Sequence, residues 1–271
     1  MRRIAHISDL HFGVHDPGVV SALRQALRED APTLVAVSGD LTQRARRREF
    51  EQARDFLASL ELPVVVVPGN HDVPLFNLWS RFGHPLRRYR RYIAHDLAPW
   101  YIDDELAVLG VSTARSLTIQ AGRISYDQMD LIDRRFREAG PGRFRVLVTH
   151  HPFLPSARHG HDAVVGRGAK ALATLESAGA QLLLTGHLHV GATGDVSAHF
   201  PDIRRSMVVV QAGTAVSRRL RGEPNAYNLI TIDPPRLRCE ARSFDGHGFR
   251  HLAVTEWVRE GDRWQLARLR A

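Results

Sequence analysis

The sequence predicts an α/β protein, a four-layer α/β/β/α sandwich of two packed mixed sheets flanked by helices. Three observations carry that prediction. Over the first 190 residues, short apolar runs alternate with stretches of helical periodicity, the pattern of parallel strands covered on both faces. After residue 190, strand-like runs follow one another with no helical period between them. A chain of 271 residues, 44% of them hydrophobic, is also long enough to fill a large core.

Each element has its own signal. Residues 4–7 form an apolar strand, and residues 19–29 place Val20, Leu23 and Leu27 at helical spacing. A second strand at 34–37 precedes a helix over 43–60, with Phe50, Ala53, Phe56, Leu57 and Leu60 on one face and arginines on the other. Residues 64–67 and 106–111 are buried strands. A helix over 125–139 turns Met129, Ile132 and Phe136 inward, followed by a strand at 146–149, a helix at 167–178 and a strand at 181–184. Runs at 206–212, 226–232, 236–244 and 248–255 then read as an antiparallel meander. It is expected to build the second sheet over 200–271, within one domain spanning 1–271. Residues 73–103 are a long connection, helical around 86–97, and the candidate rim or lid insertion.

Composition removes several classes of function. No run approaches the ~18–20 apolar residues of a membrane span. Cys239 is the single cysteine, which excludes an internal disulfide framework and a cysteine-based zinc site. Met1 leads directly into a strand with no apolar signal region, so the expected location is cytoplasmic. The net charge is +8, but Lys170 is the only lysine among 37 basic residues. That skew reads as an arginine-biased composition rather than a selected nucleic-acid patch. Arg87 to Arg91, interleaved with Tyr89 and Tyr92, is the best local argument for a nucleotide or single strand.

The chemistry gathers just beyond the carboxyl ends of the apolar strands. Ser8-Asp9-Leu10-His11 follows the first strand and Ser38-Gly39-Asp40 the second. Pro68-Gly69-Asn70-His71-Asp72, Thr149-His150-His151-Pro152 and Thr185-Gly186-His187-Leu188-His189 follow the others. In open α/β sheets ligands bind at that end. Carboxylate, amide and neutral imidazole donors suit a hard or borderline divalent metal. There are more of them than one ion needs, and two metals sharing a carboxylate account for the surplus. Any one of these residues alone would read as a loop or cap residue, Asp40 as an N-cap for example. Coincidence at five strand ends is the informative signal.

These five blocks, in this order, resemble the calcineurin-like metallophosphoesterase superfamily over residues 1 to about 190. The opening Ile7 to Gly13 and the Gly213-Thr214-Ala215 block resemble its bacterial class III cyclic-nucleotide phosphodiesterase branch. The resemblance implies two metal ions, Mn, Fe, Zn or Co. Asp9, His11, Asp40 and His189 would hold one, and Asp40, Asn70, His150 and His187 the other, with Asp40 bridging. His71, supported by Asp72, would face the phosphate and donate a proton or hydrogen bond. His151 is a substrate-side candidate, as is Arg115 unless it is a surface arginine; His159 and His161 are weaker candidates for the mouth.

The implied activity is hydrolysis of a small phosphodiester, with a 3',5'-cyclic nucleotide as first expectation, through in-line attack by a metal-activated hydroxide. The alternatives are a phosphomonoesterase, a nucleotide-sugar pyrophosphatase or a nuclease on the same core, or a non-catalytic scaffold. The expected partner is therefore a small-molecule phosphodiester. Nucleic acid is less favoured, and a homo-oligomer is left open.

Overall fold

Strands β1 (Arg2–Ile7), β2 (Leu34–Val37) and β3 (Val64–Val66) run parallel in the computed structural model, which describes residues 1–118, 121–155 and 164–270. β2 and β3 are apolar throughout, and β1 at Ile4, Ala5 and Ile7, because both their faces are covered. Successive side chains point to opposite faces. Ile4, Leu34, Ala36 and Val65 face the other sheet. Ala5, Ile7, Val35 and Val37 face helices α1 (Pro17–Asp30) and α2 (Arg47–Ala58). Asp16 caps α1 by accepting from the N–H groups of Gly18 and Val19, and Pro17 opens the helix.

Two short helices, α3 (Leu78–Gly83) and α4 (Arg87–Tyr92), occupy the connection to the second sheet. That sheet comprises β4 (Trp100–Ile102), β5 (Leu106–Gly110), β6 (Phe144–Val148), β7 (Leu182–Thr185), β8 (Ala192–Asp195) and β9 (Val208–Gln211). β5, β6, β7 and β9 are mutually parallel, and β4 and β8 close the edges antiparallel. Val108, Val146, Leu182, Leu184 and Val208 point to the first sheet. Leu109, Leu147, Leu183 and Val209 pack under α5 (Tyr126–Glu138) and α6 (Gly168–Ser177). The four expected layers are all present.

The sheet assignment of the carboxyl-terminal half differs from expectation. β10 (Ala226–Asp233), β11 (Arg236–Phe244), β12 (Phe249–Glu260) and β13 (Arg263–Arg270) do form a meander, but it extends the first sheet. β10 pairs antiparallel with β1, Ile4 opposite Ile230. β1 has β2 on one side only, and its other edge would present unpaired backbone groups. The break between sheets therefore falls at the 73–103 connection, and the run at 206–212 is the parallel strand β9. Cys239, on β11, lies in the core between the sheets, where burial pushes its thiol up to about 12. Among the described residues no helix is long and apolar enough to cross a membrane.

Two local departures matter for the site. Helix α2 begins at Arg47 rather than 43 because the preceding backbone is committed elsewhere. The N–H groups of Arg44 and Arg46 donate to Glu49 Oε2 at 2.8 and 3.1 Å, and that of Gln43 to the Phe12 carbonyl at 3.0 Å. Tyr89, expected on a nucleotide-facing surface, is fully buried, its hydroxyl donating to the Val66 carbonyl at 2.9 Å. Tyr89→Phe leaves that carbonyl without its partner, which costs about 1–3 kcal/mol. A urea unfolding midpoint lowered correspondingly checks it, and an unchanged midpoint contradicts it.

Candidate active site

Five strand ends deliver the polar residues to one edge of the sandwich. Asp9 and His11 follow β1, Asp40 follows β2, and a short 3-10 turn, Asn70–Asp72, follows β3. From the second sheet, His150 and His151 follow β6, and His187 and His189 follow β7. The donors thus come from both sheets. Asp9, Asp40, His11, His189, His150 and His151 are all buried.

The local backbone is bent to deliver them. Asp9, His11, Asp40, His187 and His189 have φ of 52, 44, 52, 76 and 61°. Such left-handed conformations in non-glycine residues collect where function over-determines the chain. Gly69 has no room for a Cβ, which would collide with the Asp40 carboxylate and backbone nitrogen. A Cβ on Gly186 would strike the Ser8 hydroxyl and lie 2.9 Å from Asp9 Oδ2.

Two groups of donors form around the Asp40 carboxylate. In the first, Asp9 Oδ1 is 3.6 Å from His11 Nε2 and 3.5 Å from His189 Nε2, while Asp40 Oδ2 is 3.7 Å from His11 Nε2. In the second, His150 Nε2 is 3.0 Å from Asn70 Oδ1, 3.2 Å from His187 Nδ1 and 3.5 Å from Asp40 Oδ1. His187 Nδ1 is 3.1 Å from the same Asn70 oxygen.

The second nitrogen of several rings is tied down. His150 Nδ1 donates to the Ser38 carbonyl at 2.7 Å, His11 Nδ1 faces the Thr42 carbonyl at 3.4 Å, and His189 Nδ1 meets Thr214 Oγ1 at 2.7 Å. These contacts leave Nε2 of each ring free to face the centre.

This donor chemistry fits a cation. Asp9 Oδ1 and His11 Nε2 are buried with no hydrogen-bond partner. Burial works to lower the pKa of His150, but the Asp40 and Asp9 charges raise it, as expected of a ring among acceptors that call for positive charge. Buried acceptors that converge without a donor are costly unless a positive charge lies among them. Burial would raise the pKa of Asp9 and Asp40, but the surrounding imidazoles carry Asp9 well below the usual carboxylate range and lower Asp40 too. Burial pushes His187 and His189 each down to about 4. Both are therefore neutral near pH 7, the form that ligates metal. Four overlapping groups of three among Asp9, His11, Asp40, His71, His150, His151, His187 and His189 have donor atoms within 4.8 Å of one another.

The other expected residues fare unevenly. His71 stands beside this centre. Its N–H donates to Asp40 Oδ1 at 2.8 Å, and its Nδ1 donates to the Gln43 carbonyl at 2.9 Å. Burial is the main reason its pKa is lowered. Asp72 does not support that ring: its carboxylate accepts from Leu41, Thr42 and Gly69 N–H and from Thr42 Oγ1, bracing the turns after β2 and β3. Burial and the Asp40 charge push Asp72 up to about 6. His151 meets Thr113 Oγ1 at 2.7 Å and packs against the rings of His150 and His187.

Arg115 is a correction. Its guanidinium donates to the Arg123 carbonyl and to Gln128 Oε1, and so holds its own loop together rather than facing a phosphate. His159 and His161 lie outside the described residues. Thr214 lies in the Gly213-Thr214-Ala215 block, but sequence reasoning gave it no place behind His189, and it missed Arg219, whose Nη1 is 3.2 Å from His71 Nε2. Both follow β9, a sixth strand end.

The family model for calcineurin-like phosphoesterases matches residues 2–191. A probable cyclic nucleotide phosphodiesterase of Synechococcus sp. is 29% identical over 203 residues, 69% of this chain and 72% of that one. A glycerophosphodiester phosphodiesterase of Enterobacter lignolyticus is 30% identical over 195 residues, 64% of this chain and 65% of that one. The crystal structure of a dimetal phosphatase from Danio rerio superposes with a TM-score of 0.64 at 15% identity, covering 89% of this chain and 96% of that one. That last likeness concerns the fold alone.

Proposed function

The chain belongs to the calcineurin-like phosphoesterase family, and from that premise we propose that it hydrolyses a small phosphodiester at a dinuclear metal centre, with a 3',5'-cyclic nucleotide as the first expected substrate. The observation that carries this reading is the meeting of two donor groups on one carboxylate, Asp40. One ion would be held by Asp9, His11, Asp40 and His189, the other by Asp40, Asn70, His150 and His187. Such ions supply an activated water and neutralise charge on the phosphoryl oxygens.

The chain's own residues do the rest. The carbonyls of Ser38 and Thr42 and the hydroxyl of Thr214 orient the imidazoles. Asp72 holds the turns after β2 and β3 in register, which places Asp40 and Asn70. The Gln43 carbonyl holds the Nδ1 proton of His71 and leaves Nε2 to face the bound diester; with a second proton on Nε2 the ring would donate to the leaving oxygen. The name of the Synechococcus relative favours a cyclic nucleotide. The name of the Enterobacter relative favours a second reading, a glycerophosphodiester.

A substrate panel under Mn²⁺, Fe²⁺, Zn²⁺ and Co²⁺ tests the proposal. Cyclic AMP, a glycerophosphodiester, bis(4-nitrophenyl) phosphate, 4-nitrophenyl phosphate and single-stranded DNA separate the readings. Diester turnover well above monoester turnover is expected, and no turnover of any diester would sink it. Thr214→Val, which removes the hydroxyl behind His189, is expected to weaken Mn²⁺ binding about 10–100-fold. A metal titration of the variant at unchanged fold checks this, and unaltered affinity removes Thr214 from the account.

A further inference from the structure

We propose that Arg219 is a substrate-binding residue of this site, its guanidinium donating to a nonbridging oxygen of the phosphodiester anion. The inference rests on the placement of the phosphate at the proposed metal centre. Its starting point is a cation near the Asp40 and Asp9 carboxylates but in contact with neither. Arg219 is half-buried, and among the described residues no carboxylate lies within ion-pair distance of it. The neighbouring Arg218 pairs with Asp16 instead, at 3.3 Å.

The hydrogen bonds Arg219 does make are few and neutral. Nη1 reaches His71 Nε2 at 3.2 Å and Gln43 Oε1 at 3.4 Å. Among the described residues Nε and Nη2 donate to nothing. A partly buried guanidinium without an acid beside it is unfavourable. Next to a centre built to hold cations it is more so, unless an anion binds between them.

The backbone places this side chain deliberately. Arg219 N–H donates to Ser217 Oγ at 3.1 Å, and Arg218 N–H to the Val14 carbonyl at 3.0 Å. Asn225 Nδ2 grips the Ser217 carbonyl at 2.9 Å, and Ala215 N–H donates to the Ser8 carbonyl at 3.0 Å. The segment after β9 is therefore pinned to the loops that carry Asp9 and His11. It presents Thr214 to His189 at one end and Arg219 to His71 at the other.

A guanidinium fork matches a phosphate edge. Two of its three nitrogens are unengaged, so it can hold a phosphoryl oxygen. When Nε2 of His71 takes up a proton to serve the leaving oxygen, Nη1 gives up its contact with that atom and Arg219 stays on the anion. This also places one charge of the Arg218 to Arg221 stretch at the substrate.

The test compares wild type, Arg219→Ala and Arg219→Gln, all loaded with Mn²⁺. Metal content is measured first, then inorganic phosphate binding by calorimetry, then kcat and KM on bis(4-nitrophenyl) phosphate. Gln keeps an amide donor toward His71 and loses the charge, and it gives the answer if the alanine variant folds poorly. Expected are unchanged metal content, phosphate binding weakened roughly 10–100-fold in both variants, and a raised KM.

Unchanged phosphate affinity in a metal-replete variant overturns the proposal. So does a fall in kcat alone, which would make Arg219 a positioning residue acting through His71. A wild-type protein that binds no phosphate overturns it as well. Failure of wild type to turn over any diester counts instead against the proposed function, and the phosphate titration remains readable in that case.

Discussion

Asp40→Ala and Asp40→Asn are both expected to lose metal and at least about 10³-fold in kcat/KM. The carboxylate stands between the two donor groups, Oδ1 at 3.5 Å from His150 Nε2 and Oδ2 at 3.7 Å from His11 Nε2. No neighbouring side chain can span them in its place. Loss of the several kcal/mol that bound metal supplies to a phosphoryl transition state corresponds to that factor, at one decade per 1.36 kcal/mol. The asparagine variant matters because Asp40 sits at φ 52°, which asparagine adopts at less cost than alanine. A structural failure would affect alanine more, whereas loss of the bridging charge affects both equally. Metal analysis beside kinetics makes the distinction. Full occupancy in Asp40→Asn would remove the bridging role.

His71→Ala is expected to behave in the opposite way, keeping its metal and losing about 10²–10⁴-fold in kcat, the range for a positioned general acid. Its ring is aimed from behind by the Gln43 carbonyl, and its own N–H helps seat Asp40. That backbone donor survives substitution, so the metal site survives with it. The loss is expected to be larger for an alkyl diester, whose leaving oxygen needs a proton, than for a nitrophenyl diester. Equal losses on both would assign His71 to phosphate binding rather than to the leaving group.

Most of the centre was legible because strand ends announce themselves. An apolar run that stops at Ser-Asp, Gly-Asp, Gly-Asn-His, Thr-His-His or Gly-His tells the reader where a buried backbone meets polar chemistry, and the five stops converge once the strands are parallel. What escaped was information with no fixed spacing. β1 has an open edge that nothing in its own composition reveals, so the meander's place beside it could not be read from 226–270 alone. Helix α2 was extended to 43 by its apolar periodicity, although Gln43 and Thr42 are needed by His71 and Asp72. Asp72 looked like a partner for its sequence neighbour, but a buried carboxylate is drawn to the N–H groups of Leu41, Thr42 and Gly69. Arg115 and Arg219 show the same limit in opposite directions. Both are arginines in loops, and only the third dimension says which guanidinium is already engaged.

The donors at the edge of the sandwich come from both sheets, and this has a mechanical consequence. Under the proposed ligand set each ion takes residues from the β1–β3 side and from the β6–β7 side, so the pair works as a clasp across the seam between the two halves. Opening the seam at that edge would mean breaking coordination bonds, while the opposite edge is held by apolar packing and by ion pairs such as Arg2 with Asp103 and Met1 with Glu105. The loaded molecule is then stiffest where it performs chemistry. Metal supply would set how freely the halves breathe as well as whether the protein can act.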